Sequence, residues 1–491
     1  MSTTDYDVLI IGAGLSGING AYRIQEGLPE YTYAVLEARN DLGGTWSFFK
    51  YPGIRSDSDL FTFGFAWDPW RENRAIATAP SIIKYLRDVT NRHGIDKHIK
   101  YRHKVLELDW QSDLQKWKVK VQANETENQT YFARFIGVGS GYYDYEEGLP
   151  TIIPGLENFK GQIVHPQFWP EDLDYADKKV AIIGSGATAV TILPSMYEKT
   201  AHISMVQRSP GYFVSMPEAD PITGFIQKWL PVSLAGWLLR WRFLFNFHTF
   251  YYWCQLFPTK AREFLISETA KELPPNLSIT PHFQPTYKPW EQRMCVAPSG
   301  GDFFKALRSG KADVVTGHID TVTENGIRMQ DGQTVEADII ITATGLKMQF
   351  LGKAALRING SEPIQIGDKF LWRGSMLQDV PNLVFYMGYT NASWTLGCDA
   401  QARMFVRLLQ NMQRRGDVSV VPKIADPSTV KEVQMMNLSS SYIQSAMKAN
   451  VIPKCGDVAP WKRRVSYFLD SWFAKFGDLS TGLEYTRGGK P

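Results

Sequence analysis

Closely spaced cysteines are missing from this chain. Cys254, Cys295, Cys398 and Cys455 lie far apart and form no CxxC pair, which argues against a redox dithiol and against a zinc site. They read as reduced thiols of a cytoplasmic protein, and no metal is expected. A strong excess of one charge is missing too. The formal net charge is +3 over 491 residues, too weak a field to imply nucleic acid as a partner. No run reaches about 18 uncharged apolar residues, so no spanning helix is expected. The opening MSTTDYDVLIIGAG has no basic leader, and glycines cut its apolar run; it is read as neither a signal peptide nor an anchor. What is present is an ordinary globular composition, 44% hydrophobic and 21% charged, on a chain too long for one core. Two or three domains are expected.

Two places join a short apolar run to a glycine-rich turn and then to a helical pattern. The first is DVLIIGAGLSG, Asp7 to Gly17. Val8 to Ile11 has the length and branching of a buried parallel strand, and Gly12, Gly14 and Gly17 form GxGxxG. Gly12 would make the tight turn, Gly14 would let a pyrophosphate approach the backbone, and Gly17 would permit close helix packing. A diphosphate then sits on the helix N-terminus, where free N–H groups and the positive dipole end face it. A second strand, Tyr33 to Leu36, ends on Glu37, placed to bond ribose hydroxyls.

The second unit is KVAIIGSGATA, Lys179 to Ala189, with Gly184, Gly186 and Ala189 in the same spacing. Its following strand, His202 to Val206, ends on Gln207, Arg208 and Ser209 instead of an acid. A carboxylate would repel a 2'-phosphate, whereas an arginine and a hydroxyl can bond it, so this half is expected to take NADPH in preference to NADH. Two dinucleotide units imply two nucleotides, and the simplest pair is a flavin with the nicotinamide that reduces it. Ala337 to Gly345, ADIIITATG, is a further buried strand ending in a glycine turn, and its expected partner is Phe135 to Gly141, FIGVGSG. These two segments would carry the chain between the FAD and NADPH halves.

The stretch FKGQIVHPQFWP, Phe159 to Pro170, matches FxGxxxHxxxW at every specified position. In this the chain resembles the Baeyer-Villiger monooxygenases. Gly43-Gly44-Thr45-Trp46, followed by YPGIRSDSD from Tyr51 to Asp59, also looks like that family, in which it runs along the flavin. The resemblance covers most of the chain from residue 7 to about 410. It implies hydride transfer from NADPH to FAD, activation of O2 on the flavin, and insertion of one oxygen beside a ketone carbonyl to give an ester or lactone, with sulfides as further substrates. It also implies that Arg293 is the catalytic arginine and Asp57 the carboxylate that positions it, and that Gly44, Thr45, Trp46 and Asp57 line the flavin. Many relatives have a lysine just before that arginine, and here the position is Gln292, which leaves the 2'-phosphate to Arg208 and Ser209. His165 of the long motif is given a hinge or packing role rather than an acid–base one.

The expected fold is α/β: two Rossmann-like dinucleotide-binding domains, for FAD and NADPH, with a helical insertion in the NADPH domain. Residues 1–145 would form the first part of the FAD domain, 146–215 and 291–335 the NADPH domain, 216–290 the insertion, and 336–491 the rest of the FAD domain with a tail. Trp229 to Leu256 is rich in aromatic residues, and its only charges are Arg240 and Arg242. It reads as a helical lid over the substrate pocket or, alternatively, as a surface that rests on a membrane; Trp461 to Phe476, aromatic and basic, keeps the second option open. A flavin disulfide reductase lacks its cysteine pair here, and a flavin sensor would not need the second glycine-rich unit. A nitrogen- or sulfur-oxygenating flavin monooxygenase remains the competing reading.

Overall fold

The computed structural model describes residues 4–216, 220–298, 301–436, 438 and 440–488. Two parallel-rich sheets organise them. The first is built from β1 (Thr4–Ile11), β2 (Tyr33–Leu36), β3 (Ile99–Lys100), β4 (His103–Gln111), β5 (Lys116–Ala123) and β6 (Glu127–Val138). Val8 to Ile11 are buried on both sides, which suits a central parallel strand; β1 runs parallel to both β2 and β6. By contrast β5 alternates, turning Trp117, Val119, Val121 and Ala123 inward, and pairs antiparallel with β4 and β6. Helix α1 (Leu15–Gly27) follows β1.

The second sheet contains β7 (Gln162–Val164), β8 (Lys179–Ile183), β9 (His202–Gln207), β10 (Ala312–Thr316) and β11 (Ile339–Thr342), in the order β10-β9-β8-β11-β7 and all parallel. Helix α2 (Ala187–Met196) follows β8. The helices between β9 and β10 include α3 (Pro221–Trp229), α4 (Val232–Leu256) and α5 (Pro258–Glu272). After β11 it returns to the first sheet, adding β12 (Ala355–Ile358) beside β4 and β13 (Leu383–Phe385) beside β6. The long helix α6 (Trp394–Arg415) then packs on α1, with Arg23 Nε donating to Asp399 Oδ1 at 2.7 Å in a buried ion pair. Helix α7 (Tyr467–Phe476) covers α6.

Two expectations need correction. Ile339–Thr342 does not pair with Phe135 to Gly141: it lies between β8 and β7, whereas β6 sits in the other sheet. An expected boundary at residue 335 is therefore too early, because β11 still belongs to the second sheet. The segments just beyond these two strands are the ones that meet. Tyr143 bridges Met348 antiparallel, Asp144 N donates to Lys347 O at 2.9 Å and Gln349 N to Tyr142 O at 3.0 Å. The outward and return crossings thus run side by side.

The FxGxxxHxxxW stretch is built into the same junction. Gly161 lies so close to β11 that a Cβ would meet Asp338 O at 2.2 Å. His165 Nδ1 accepts from Gln167 N at 3.2 Å, and its ring lies against Gly148 on the outward crossing. Gln167 Nε2 donates to Asp144 O at 2.7 Å. Burial holds the His165 imidazole below its ordinary pKa, so it is a neutral ring wedged between strand and crossing.

Candidate functional site

A cavity of about 590 Å³ opens where the first glycine-rich turn, the two crossings and Arg293 converge. Its floor is the turn between β1 and α1. Gly12 has φ +93, and a Cβ there would meet Gly139 O at 2.8 Å; a Cβ on Gly17 would stand 1.8 Å from Gly12 O. Those two glycines are demanded by close backbone approach. Gly14 is different. Its Cβ would meet no protein atom nearer than Gly44 Cα at 3.7 Å, so it would project into open cavity. Gly14 is also the N-cap of α1 without a side-chain cap, which leaves first-turn amides free for an anion.

Glu37 closes one end of the cavity. Its Oε2 accepts from Ala13 N at 2.7 Å and its Oε1 from Arg39 N at 3.0 Å. Burial raises its pKa while those amide bonds pull it down. Each oxygen retains a lone pair for a diol. Arg39 donates to Gly44 O at 3.3 Å and to the Ser47 hydroxyl, pinning the turn that carries Thr45 and Trp46. Thr45 Oγ1 lies 3.3 Å from Tyr145 OH, and Trp46 packs edge-on to Phe63. The buried Ser140 hydroxyl, on the cavity wall, has no hydrogen-bond partner among the described residues, as expected of a group that a ligand satisfies. Glycine cradle, free amides, diol acceptor and unpaired hydroxyl fit a flavin adenine dinucleotide.

At the other end stand Arg293 and Asp57, brought together from positions far apart in the chain. Arg293 is exposed where it lines the cavity. Its Nη2 donates to Tyr142 OH at 3.4 Å, and Tyr142 OH lies 2.9 Å from Tyr143 OH. Tyr142 first, then Tyr442, Tyr143 and Asp57, hold the guanidinium pKa above the ordinary arginine value against the effect of burial. Burial pushes Tyr442 up to about 12 and raises Tyr143 well above the ordinary phenol value, so both phenols remain neutral. Among the described residues Asp57 forms no ion pair with Arg293; it acts across space. Burial pushes its carboxyl up to about 6, while Arg55 and Arg293 pull it down. Arg55 is itself ion-paired to Asp302 and donates to Val296 O at 3.3 Å, tying the first sheet's loop to the strand after Arg293.

The raised Asp57 pKa sets a pH dependence. Between the ordinary value of 3.8 and about 6, the folded chain holds a proton that the unfolded chain releases, so this group's contribution to stability declines as pH climbs through that window. Function runs the other way, because only the carboxylate can attract Arg293. Product formed per NADPH consumed should fall as pH drops below about 6 in the parent protein. The Asp57→Asn protein should be low and flat over the same range; a retained acid limb would assign the titration elsewhere.

The second glycine-rich turn has the same construction. Gly184 has φ +139 and its Cβ would meet Ala343 O at 2.3 Å, whereas a Cβ on Gly186 would meet nothing within 4 Å. Gly186 is the uncapped N-cap of α2, and Ala189 is wholly buried. Ser185 Oγ donates to Ser209 O at 2.9 Å, holding the segment that carries Arg208 beside the turn. Arg208 is exposed and has no acidic partner among the described residues, which suits a phosphate. These residues fit NADPH.

Sequence reasoning missed the groups that surround Arg293, since Tyr142, Tyr143 and Tyr442 belong to no motif. It also missed Trp394, whose Nε1 donates to Ser16 Oγ at 2.9 Å and whose ring lies 4.9 Å from Tyr142. The signal that could have found it is its place as the first residue of α6, directly after the loop from Gly388 to Ser393.

Comparison with known proteins gives a consistent result. Residues 70–269 match the flavin-binding monooxygenase-like family, and residues 10–73 match an NAD(P)-binding Rossmann-like domain. The chain is 44% identical over 487 residues to the FAD-containing monooxygenase EthA of Mycolicibacterium smegmatis, covering 99% of this chain and 98% of that protein. It is 40% identical over 491 residues to the EthA protein of Mycobacterium tuberculosis, covering 100% and 99%. In fold it resembles an oxidised steroid monooxygenase bound to NADP, with a TM-score of 0.73 at 18% identity, covering 99% of this chain and 100% of that one.

Proposed function

Because the chain belongs to the family of FAD-containing, flavin-binding monooxygenases, we propose that it is a Baeyer-Villiger monooxygenase that uses FAD, NADPH and O2 to convert ketones into esters or lactones. The observation that carries this reading is the Arg293 guanidinium facing the 590 Å³ cavity beside Asp57. FAD bound there would accept hydride from NADPH and activate dioxygen. The first glycine-rich turn would hold its diphosphate on the α1 amides, with Glu37 on the ribose and Gly44, Thr45 and Trp46 along the ring system. Arg293 would stabilise the negative charge that grows on a ketone oxygen under attack. Held beside the cavity by its bond to Tyr142, it would meet that charge with little reorganisation. Asp57 would orient it without quenching it, since the two groups do not pair.

Gly184, Gly186 and Ala189 would hold the second nucleotide, with Arg208 and Ser209 on its 2'-phosphate. Replacing Arg208 by alanine should raise KM for NADPH much more than for NADH. Charge-assisted bonds to a phosphate are worth on the order of 1.5 to 3 kcal/mol, so the expected change is roughly 10- to 100-fold. Equal changes for both coenzymes would remove Arg208 from phosphate recognition. The reaction class itself is tested by incubating the protein with NADPH and paired ketone and sulfide substrates and identifying products by mass. Sulfoxide without any ester would favour a sulfur-oxygenating enzyme instead.

A further inference from the structure

We propose that the outer face formed by α3, α4 and α7 docks on the surface of an anionic phospholipid bilayer. Helix α4 buries Ala235, Gly236, Leu239, Arg240 and Leu244; it packs on the short helix Leu60–Phe63 that follows the flavin-lining segment, with Leu244 against Tyr389 and Leu396. Arg240 Nη1 donates there to Phe61 O and Gly64 O at 3.1 and 2.9 Å. The other side of the helix is apolar as well. Leu234, Trp237, Trp241, Phe245, Tyr252 and Leu256 follow one another at helical spacing and are all exposed, Phe245 to 69% and Leu256 to 70%. A single exposed apolar residue needs no explanation, but a stripe about 33 Å long does.

The stripe continues onto its neighbours. Trp241 stacks on Phe468 of α7 at 6.1 Å. On α7 itself Leu469, Trp472 and Phe476 are exposed on one face, and α3 adds Phe225 and Trp229. Two consecutive helices and a third from near the end of the chain therefore carry exposed aromatic residues side by side. Among the described residues no helix is long and apolar enough to cross a membrane, so this surface suits a helix lying in the interface plane, where Trp and Tyr are favoured.

Charge selects the occupant. No acidic residue occurs between Asp220 and Glu263. Between Asp457 and Asp478 the only acid is Asp470, which accepts from Tyr389 OH. Lys228, Lys260, Lys462 and Lys475 are exposed around these segments and have no acidic partner among the described residues. Lys228 and Lys260 lie over the rings of Trp229 and Phe257 at 5.5 and 5.9 Å, with apolar stems along the surface and the ammonium at its rim. A second copy of this chain on the same face would set lysine against lysine. Anionic lipid headgroups would complement them.

The location links docking to access. A small cavity lined by Leu244, His248, Ser393 and Phe468 lies between α4, α7 and the loop before α6 and shares Ala392 with the main cavity. Docking through α4 and α7 would thus bring the bilayer to the side of the main cavity that Ala392 borders.

The test is sedimentation of the flavin-loaded protein with vesicles of phosphatidylglycerol and phosphatidylcholine, compared with pure phosphatidylcholine and with high salt. Binding to the anionic vesicles is expected, at least tenfold weaker in both comparisons. Trp237→Ser and Phe245→Ser should each weaken binding on the order of tenfold, and Lys228→Gln or Lys475→Gln roughly fivefold. All four should keep their flavin and NADPH consumption in free solution, which shows that the fold is intact. No binding to anionic vesicles, or undiminished binding by the Trp237 and Phe245 variants, overturns the proposal. So does a dimer in lipid-free solution that those variants dissociate while vesicles go unbound. The outcome does not depend on which product the enzyme makes.

Discussion

Replacing Arg293 by alanine should lower ester formation roughly 100- to 1000-fold, the loss expected when about 3 to 4 kcal/mol of fixed electrostatic stabilisation is removed from the site of reaction. The protein should nevertheless remain yellow. The flavin cradle is made by Gly12, Gly14, Gly17 and Glu37, and none of them touches Arg293. NADPH consumption should also persist, because the second glycine-rich turn and Arg208 lie outside the cavity that Arg293 lines. Electrons would then end on oxygen as hydrogen peroxide instead of reaching product. The measurement is ester formed per NADPH consumed, with hydrogen peroxide as the complement. Arg293→Lys should rescue little: an ammonium is a compact point charge, and the planar fork that reaches Tyr142 while facing the cavity is lost. A parent-like ratio in Arg293→Ala would make the residue structural and leave the cavity without its cation.

Different parts of this arrangement were legible to different degrees. The two glycine-rich turns could be read directly because each carries local constraints: a positive φ at Gly12 and Gly184, and backbone contact at Gly17. Local constraints leave marks in local sequence. Sheet membership leaves fewer. The run Ile339 to Thr342 is apolar and β-branched, as any buried parallel strand would be, and nothing in it says which of two sheets it joins. Only the register with Ile163 and Ile182 decides that. The surroundings of Arg293 were harder still. Asp57 and Arg293 were assigned through resemblance, while Tyr142 and Tyr442 come from a crossing and from a helix near the end of the chain, and their convergence is a property of the whole fold. For Trp229 to Leu256 composition could not separate a lid from an interfacial surface, since aromatic residues with arginine suit both. Arg240 turning inward and Phe245 outward distinguishes the two faces.

The largest effect on cofactor binding should come from the smallest change, Gly17→Ala. Judged by spacing alone it looks harmless, because the second unit carries Ala189 at the corresponding place and buries it fully. The first turn has no such room. A methyl on Gly17 would stand 1.8 Å from Gly12 O, and Gly139 presses from β6, where its own Cβ would meet Gly17 N at 2.6 Å. The two atoms the methyl would meet most closely, Gly12 O and Gly12 C, are both backbone, so no side chain can swing aside. The helix must move instead, carrying the free amides of α1 away from the diphosphate they would hold. Overpacking of this kind costs roughly 1 to 3 kcal/mol or more, and FAD affinity should fall on the order of a hundredfold. Titration with NADP⁺ should be nearly unchanged, since the second turn is built separately on β8 and α2. Gly14→Ala separates clash from cradle. Its methyl meets only Gly44 Cα at 3.7 Å, so the melting temperature should hold while FAD binding drops because the methyl occupies the place of the phosphate. Gly17→Ala should lose both stability and flavin. If it instead purifies with a full complement of FAD, the close packing of α1 on Gly12 and Gly139 is not what shapes the site.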